Sequence, residues 1–191
     1  IEPVSPFGFE SGLTGWTTHG NSTTSSGGNY QASSIVWGVF PYETTMGVLQ
    51  PIELGGVDSF SEIANALGIS GFSRTYIETR FPGITNTAYV YTDLALQAGE
   101  SFTMAWNYLS MDHVPFDDAS FCSFVNLYNP GDLPTVNGYR SQVSILGSTV
   151  SGSGNYVTGD YGSTGWQTAS FAASEAGVYR LGFTVFNLGD T

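Results

Sequence analysis

Positive charge is what this sequence has least of: 4 Lys and Arg together against 16 Asp and Glu, a formal charge of -12 over 191 residues. Such a field repels phosphate backbones and anionic lipid, so nucleic acid is excluded as an expected partner. It also leaves most carboxylates without a basic neighbour, so any that cluster must be solvated, protonated or bound to a cation. Calcium is the cation that suits oxygen-only clusters. Cysteine is almost absent too. Cys122 stands alone, which rules out an internal disulfide and the paired-cysteine patterns of structural zinc, and leaves a small buried apolar side chain as its expected role. No apolar run is long enough for a membrane span, so no membrane insertion is expected. Neither a GxSxG elbow nor an HExxH helix occurs, and histidine is limited to His19 and His113. The start at Ile1, without Met, reads as a processed product or an excised segment. The lack of lysine, with much Gly, Ser, Thr and Tyr, fits an extracellular or cell-surface location.

What is abundant is alternation. Apolar and polar residues trade places over short runs broken by Gly, Asn, Asp, Ser and Pro, as in an antiparallel all-β domain. "GVYRLGFTVFNLGD" puts Tyr179, Leu181, Phe183 and Val185 on one face. "SFTMAWNYLSM" does the same with Phe102, Met104, Trp106 and Tyr108, and "SFCSFVNLY" is apolar enough for a sandwich centre. Further strands are expected at "SSIVWGVF", "AYVYTDLAL", "YRSQVSIL" and "WQTASFAA". The expected fold is a single domain over 1–191, an all-β, two-sheet antiparallel β-sandwich of jelly-roll type. One stretch departs from it: Ser59 followed by Glu62 is a capping-box pair, and Ile63, Ala66 and Leu67 follow at helical spacing, predicting one short helix near 60–67. "HGNSTTSSGGNY" and "GSTVSGSGNYVTGDYGSTG" read as rim loops.

For chemistry, "MDHVPFDD" offers Asp112, Asp117 and Asp118 in one loop. With backbone carbonyls and water they are candidate ligands of a Ca2+ shell of about six to eight oxygens. The plainer alternatives are solvated carboxylates on a loop tip, or a turn capped by backbone N–H groups. Glu10, in "FGFESGLTGW", is a second candidate, and as plain structure an outward, solvated side chain. A His/carboxylate site at His113 is conceivable, against an ordinary loop histidine. A glycosidase pair would be drawn from Glu43, Glu78, Asp117 and Asp118.

Three stretches carry a resemblance: "FESGLTGWTTHGN", "LQAGESFTMAWNYLSMDHVPFDDASFCSFVNL" and "GDYGSTGWQTASFAASEAGVYRLGFTVFNLGDT". The first is similar to the opening of extracellular bacterial jelly-roll domains related to carbohydrate-binding modules. The others resemble the ligand-binding domains near the distal ends of giant calcium-dependent RTX-type adhesins of Gram-negative bacteria. The resemblance implies adhesion to a cell-surface glycan or an exposed peptide end, with calcium shaping the site or touching the ligand, and it maps the ion onto Asp112, Asp117, Asp118 and Glu10. Family members continue past "NLGDT" into a final strand. The domain is therefore expected to lack its last C-terminal strand, with an open sheet edge able to pair with another chain.

Three functions follow as expectations. The first is a non-catalytic adhesion module binding glycan or peptide through calcium-organised loops, with Tyr42, Glu43, Tyr108, Tyr128 and Tyr161 as candidate ligand contacts. Each tyrosine has packing at a sheet edge as its plain alternative. The second is a glycan-active hydrolase with two carboxylates roughly 5 to 9 Å apart. The third is a surface-layer scaffold whose acidity keeps it soluble.

Overall fold

A computed structural model of the chain describes residues 15–19, 21–25, 34–38, 46–50, 60–110, 113–150 and 156–188. In chain order the described elements are β1 (Thr17–His19), β2 (Asn21–Ser25), β3 (Ser34–Gly38), β4 (Met46–Gln50), α1 (Phe60–Leu67), α2 (Gly71–Arg80), β5 (Ile84–Leu96), β6 (Ser101–Leu109), β7 (Ala119–Asn126), β8 (Thr135–Val136), β9 (Tyr139–Arg140), β10 (Val143–Ser148), β11 (Tyr156–Val157), β12 (Gln167–Ala172) and β13 (Gly177–Leu188). They form a two-sheet β-sandwich. The first sheet has the order β1-β5-β13-β7-β10-β11 and the second β2-β4-β3-β6-β12-β8-β9. Pairing is antiparallel apart from β10 with β11, which meet in parallel at Gly147 and Ser148 only.

Period-2 alternation explains how the sheets pack. On β13, Tyr179, Leu181, Phe183 and Val185 face the second sheet and join Met104, Trp106, Tyr108, Phe124 and Phe171 in the main core. The opposite face of the first sheet is buried as well. There Phe121, Val125, Val143, Ile145 and Phe186 pack under Ile63, Ala64 and Leu67 of α1 and Ile77 of α2. That second core is why every residue of β7 is buried, and why it carries large apolar side chains on both faces rather than on one.

The helix expected near 60–67 is present as α1, its apolar stripe of Phe60, Ile63, Ala64 and Leu67 turned to the sheet. Gly182 makes its seat: a Cβ there would lie 2.6 Å from Ser123 Oγ and 2.8 Å from Leu67 Cδ2. At the end of α1, Arg180 reaches up from β13, donating to the Ala66 carbonyl at 2.6 Å and to Asp93 through two 2.8 Å bonds, with its guanidinium 4.0 Å from the centre of the Tyr91 ring.

Two expectations need correction. There are two helices among the described residues, not one, because α2 follows α1 directly. Part of the supposed rim loop "HGNSTTSSGGNY" is strand: β1 pairs with β5 and β2 with β4, and His19 stacks on Tyr89 at 4.7 Å between ring centres. β13, the last described strand, lies between β5 and β7 inside the first sheet, and the described edges of that sheet are β1 and β11.

Candidate functional site

Glu10, Tyr42, Glu43 and Asp112 lie outside the described residues. The remaining candidates do not converge. Tyr108 is fully buried in the main core, on the inward face it shares with Trp106, so it is corrected from a ligand contact to a packing residue. Tyr128 and Tyr161 are exposed. Tyr161 has a positive φ of 50° and stacks on His113 with 6.3 Å between ring centres. Glu78 is held by Arg74 one turn earlier on α2, at 3.1 Å.

The 113–118 loop leaves His113, Val114 and Pro115 exposed and turns Asp118 inward. Val114 N–H donates to Asp160 Oδ1 at 2.8 Å, and Phe116 N–H closes a turn on the His113 carbonyl at 3.0 Å. Asp118 is only 2% exposed. Its Oδ1 accepts the Leu188 N–H at 3.1 Å and its backbone carbonyl accepts Thr149 N–H at 2.9 Å, so it ties the end of β13 and the segment after β10 to the start of β7. Asp117 is half-buried. Burial pushes its carboxyl up to about 6, against the opposing pull of a backbone bond at Val150 and the positive charge of Arg80. Arg80, at the end of α2, is thus close enough for its charge to act on Asp117. Among the described residues no group of three or more His, Cys, Asp or Glu side chains is placed to hold a metal. The Leu188 N–H engages Asp118 Oδ1, and Asp112 lies outside the described residues.

Asp117 carries a pH signature. Its folded value of about 6 lies above the unfolded 3.8, so the folded state holds the proton more tightly. The associated stability is full below the unfolded value and is lost as pH rises through about 6. In chelator-containing buffer, Asp117→Asn should therefore raise stability at pH 7.5 by about 1 kcal/mol, a figure reduced for the solvent that reaches this half-exposed group. It should also flatten the gain that the natural chain shows on acidification to pH 5. Urea denaturation at both pH values checks this, and a variant less stable at pH 7.5 would contradict it.

A concavity lies elsewhere, in an open groove of about 940 Å³ that runs past β10 of the first sheet. Its first wall is α2. This helix buries only Ser73 and Ile77, which leaves Phe72 and Tyr76 outward and stacked at 6.5 Å, with Phe72 82% exposed. Its second wall is the β8–β9 hairpin. Asn137 and Gly138 turn it with φ values of 50° and 83°, the double positive φ of a tight two-residue turn. Asn137 also clasps β12 through Ser170, donating N–H to its carbonyl at 2.8 Å and accepting its N–H on Oδ1 at 2.9 Å. The hairpin so fixed holds up Tyr139, 77% exposed, and Arg140. Val143, Ser144 and Ile145 of β10, Thr168 and Ser170 of β12, and Trp106 meeting Tyr156 edge-on at 5.5 Å complete the lining. The buried Trp106 indole N–H has no acceptor among the described residues.

None of these groove residues was a candidate from sequence, although "VNGY" carries a signal for the hairpin. An Asn-Gly pair between Val136 and Tyr139 is the strongest short-range mark of a two-residue turn. No protein-family model, curated protein or solved structure matches the chain. The fold and the groove define its class by themselves: a two-sheet β-sandwich with helices on one face and an aromatic-walled groove at one side.

Proposed function

We propose that this domain is a non-catalytic recognition module of an extracellular or cell-surface protein, and that it binds an oligosaccharide in the groove between α2 and the β8–β9 hairpin. The observation that carries this is the wall chemistry. Phe72, Tyr76, Tyr139 and Tyr156 offer exposed ring surface, and Ser141, Ser144, Thr168 and Ser170 offer hydroxyl groups between them. Flat apolar ring faces alternating with small hydrogen-bonding groups suit a sugar, whose own surface alternates C–H patches with hydroxyls. The described lining contains no carboxylate, whereas glycoside hydrolysis by the usual route needs two of them flanking the scissile bond. This favours binding over cleavage. Calcium is given no step in binding. Its proposed place is the 112–118 loop, whose residues are not among those lining the groove, and a chelator should leave groove binding intact.

Titration calorimetry against a panel of neutral and acidic oligosaccharides tests the proposal. Saturable one-site binding is expected, with Tyr139→Ala weakening it about tenfold, the loss of one well-placed aromatic contact. Tyr139 is so exposed that the substitution should leave thermal unfolding unchanged. Absence of saturable binding to any sugar in the panel would sink the proposal.

A further inference from the structure

The chain's four basic residues are all arginines, Arg74, Arg80, Arg140 and Arg180, and the fold divides them into two kinds. Arg74 and Arg180 have structural work. Arg74 is bound to Glu78 and to Ser61 Oγ at 2.7 Å, and Arg180 to Asp93 and the Ala66 carbonyl. The other two line the same groove. Arg80 forms no ion pair among the described residues, though its field reaches Asp117. Arg140 stands 3.9 Å from Asp132 with its side chain 70% exposed, a contact that long range and solvent make weak. Asp132 meanwhile accepts hydrogen bonds from Ser174 and Tyr179. In a chain of net charge -12, the two arginines that make no close ion pair among the described residues thus share one concave surface whose described lining has no acidic residue.

Resting on the oligosaccharide reading above, we propose that the groove takes an acidic oligosaccharide, the carboxylate of a uronic acid or similar carboxyl-bearing sugar being held by Arg80 and Arg140. Guanidinium suits that task because its planar fork donates two parallel hydrogen bonds to a carboxylate and stays charged at any physiological pH. The net negative charge of the protein does not forbid such a ligand. At physiological ionic strength charges more than about 8 Å apart are largely screened, so contact charge decides affinity. The aromatic walls favour a sugar over an acidic peptide: several exposed ring faces in an open groove suit stacking on sugar rings, whereas one peptide side chain would call for a closed apolar slot.

The test is calorimetric titration of the whole chain, in chelator and physiological salt, with three probes: a hexasaccharide of galacturonic acid, the same hexasaccharide with its carboxyl groups reduced, and a hexaglutamate peptide. The acidic sugar should bind at least tenfold tighter than its reduced counterpart, and Arg80→Gln and Arg140→Gln should each bring that preference down severalfold. Both side chains are exposed, and unchanged thermal unfolding confirms that each variant is folded. Equal affinity for the two sugars, or Gln variants that keep the full preference, would overturn the acidic assignment while leaving the groove reading standing, provided Tyr139→Ala still weakens both sugars. Hexaglutamate binding more tightly than the acidic sugar would replace a glycan by a peptide as ligand. No binding of either sugar, in this titration or across the panel, would take the oligosaccharide reading down as well.

Discussion

Phe124→Ala should cost about 3 to 5 kcal/mol, the usual range for emptying a fully buried phenylalanine site. Phe124 is where the two sheets hold together. From β7 in the first sheet its ring stacks on Tyr179 of β13 at 4.7 Å, meets Phe102 of β6 edge-on at 5.7 Å, and lies tilted against Phe171 of β12 at 5.5 Å. Phe102 and Phe171 belong to the second sheet and stack on each other at 5.2 Å. One truncation therefore removes the partner of three rings at once, and these rings cannot all collapse into the space, because each is fixed by its own strand. A domain of this size holds about 5 to 15 kcal/mol of stability in total, so the loss should lower the melting temperature by roughly 6 to 20 °C. Phe124→Leu should recover more than half of it. Phe72→Ala is the matching control, since that side chain is 82% exposed and its loss should stay within about 0.5 kcal/mol. Thermal and urea unfolding of the three variants checks the ranking. A Phe124→Ala variant within 1 kcal/mol of the natural chain would mean that the sheets do not meet through this cluster.

How much of this was legible in the sequence depended on how local each signal is. Strands β3, β5, β6, β7, β10, β12 and β13 showed because their patterns are written residue by residue, and α1 showed because its apolar stripe repeats at helical spacing. α2 did not show. "GFSRTYIETR" has two threonines, two exposed aromatics and only Ser73 and Ile77 turned inward, so neither propensity nor amphipathicity marks it as a helix. It is held from outside: Gln142 accepts the Ser70 N–H on Oε1 at 2.9 Å and donates its own N–H to Ser73 Oγ at 3.2 Å. β1 and β2 were hidden for the opposite reason, being short and rich in Thr, Ser and Asn, where loop and strand compositions overlap. Tyr108 was misjudged although its alternation with Trp106 already placed it inside. The groove was out of reach because it joins α2, a hairpin and four strands distant in sequence, and the reach of the Arg80 charge to Asp117 is a tertiary event of the same kind.

Asp118 offers the sharpest separation between the two roles that its carboxylate could serve. In the described structure it is a backbone acceptor: Oδ1 takes the Leu188 N–H where the β13–β5 register shifts between Phe186 and Leu188. Asp118→Ala would strand that donor in a buried place and leave a small void. Together these should cost about 2 to 4 kcal/mol. Asp118→Asn keeps an acceptor oxygen in reach of Leu188 and should cost less than half as much. Were Asp118 instead a calcium ligand, ion binding would stabilise the natural chain in proportion to the logarithm of ion concentration, and the variant would lose only that increment. The two roles diverge under chelation. A structural carboxylate gives the same loss in chelator as in millimolar calcium, because the hydrogen bond to Leu188 does not depend on the ion. A ligand gives a loss in calcium that vanishes in chelator. The buried geometry leads us to expect the same loss in both buffers, measured by urea unfolding of the natural chain and both variants. A loss confined to the calcium series would return Asp118 to the metal set.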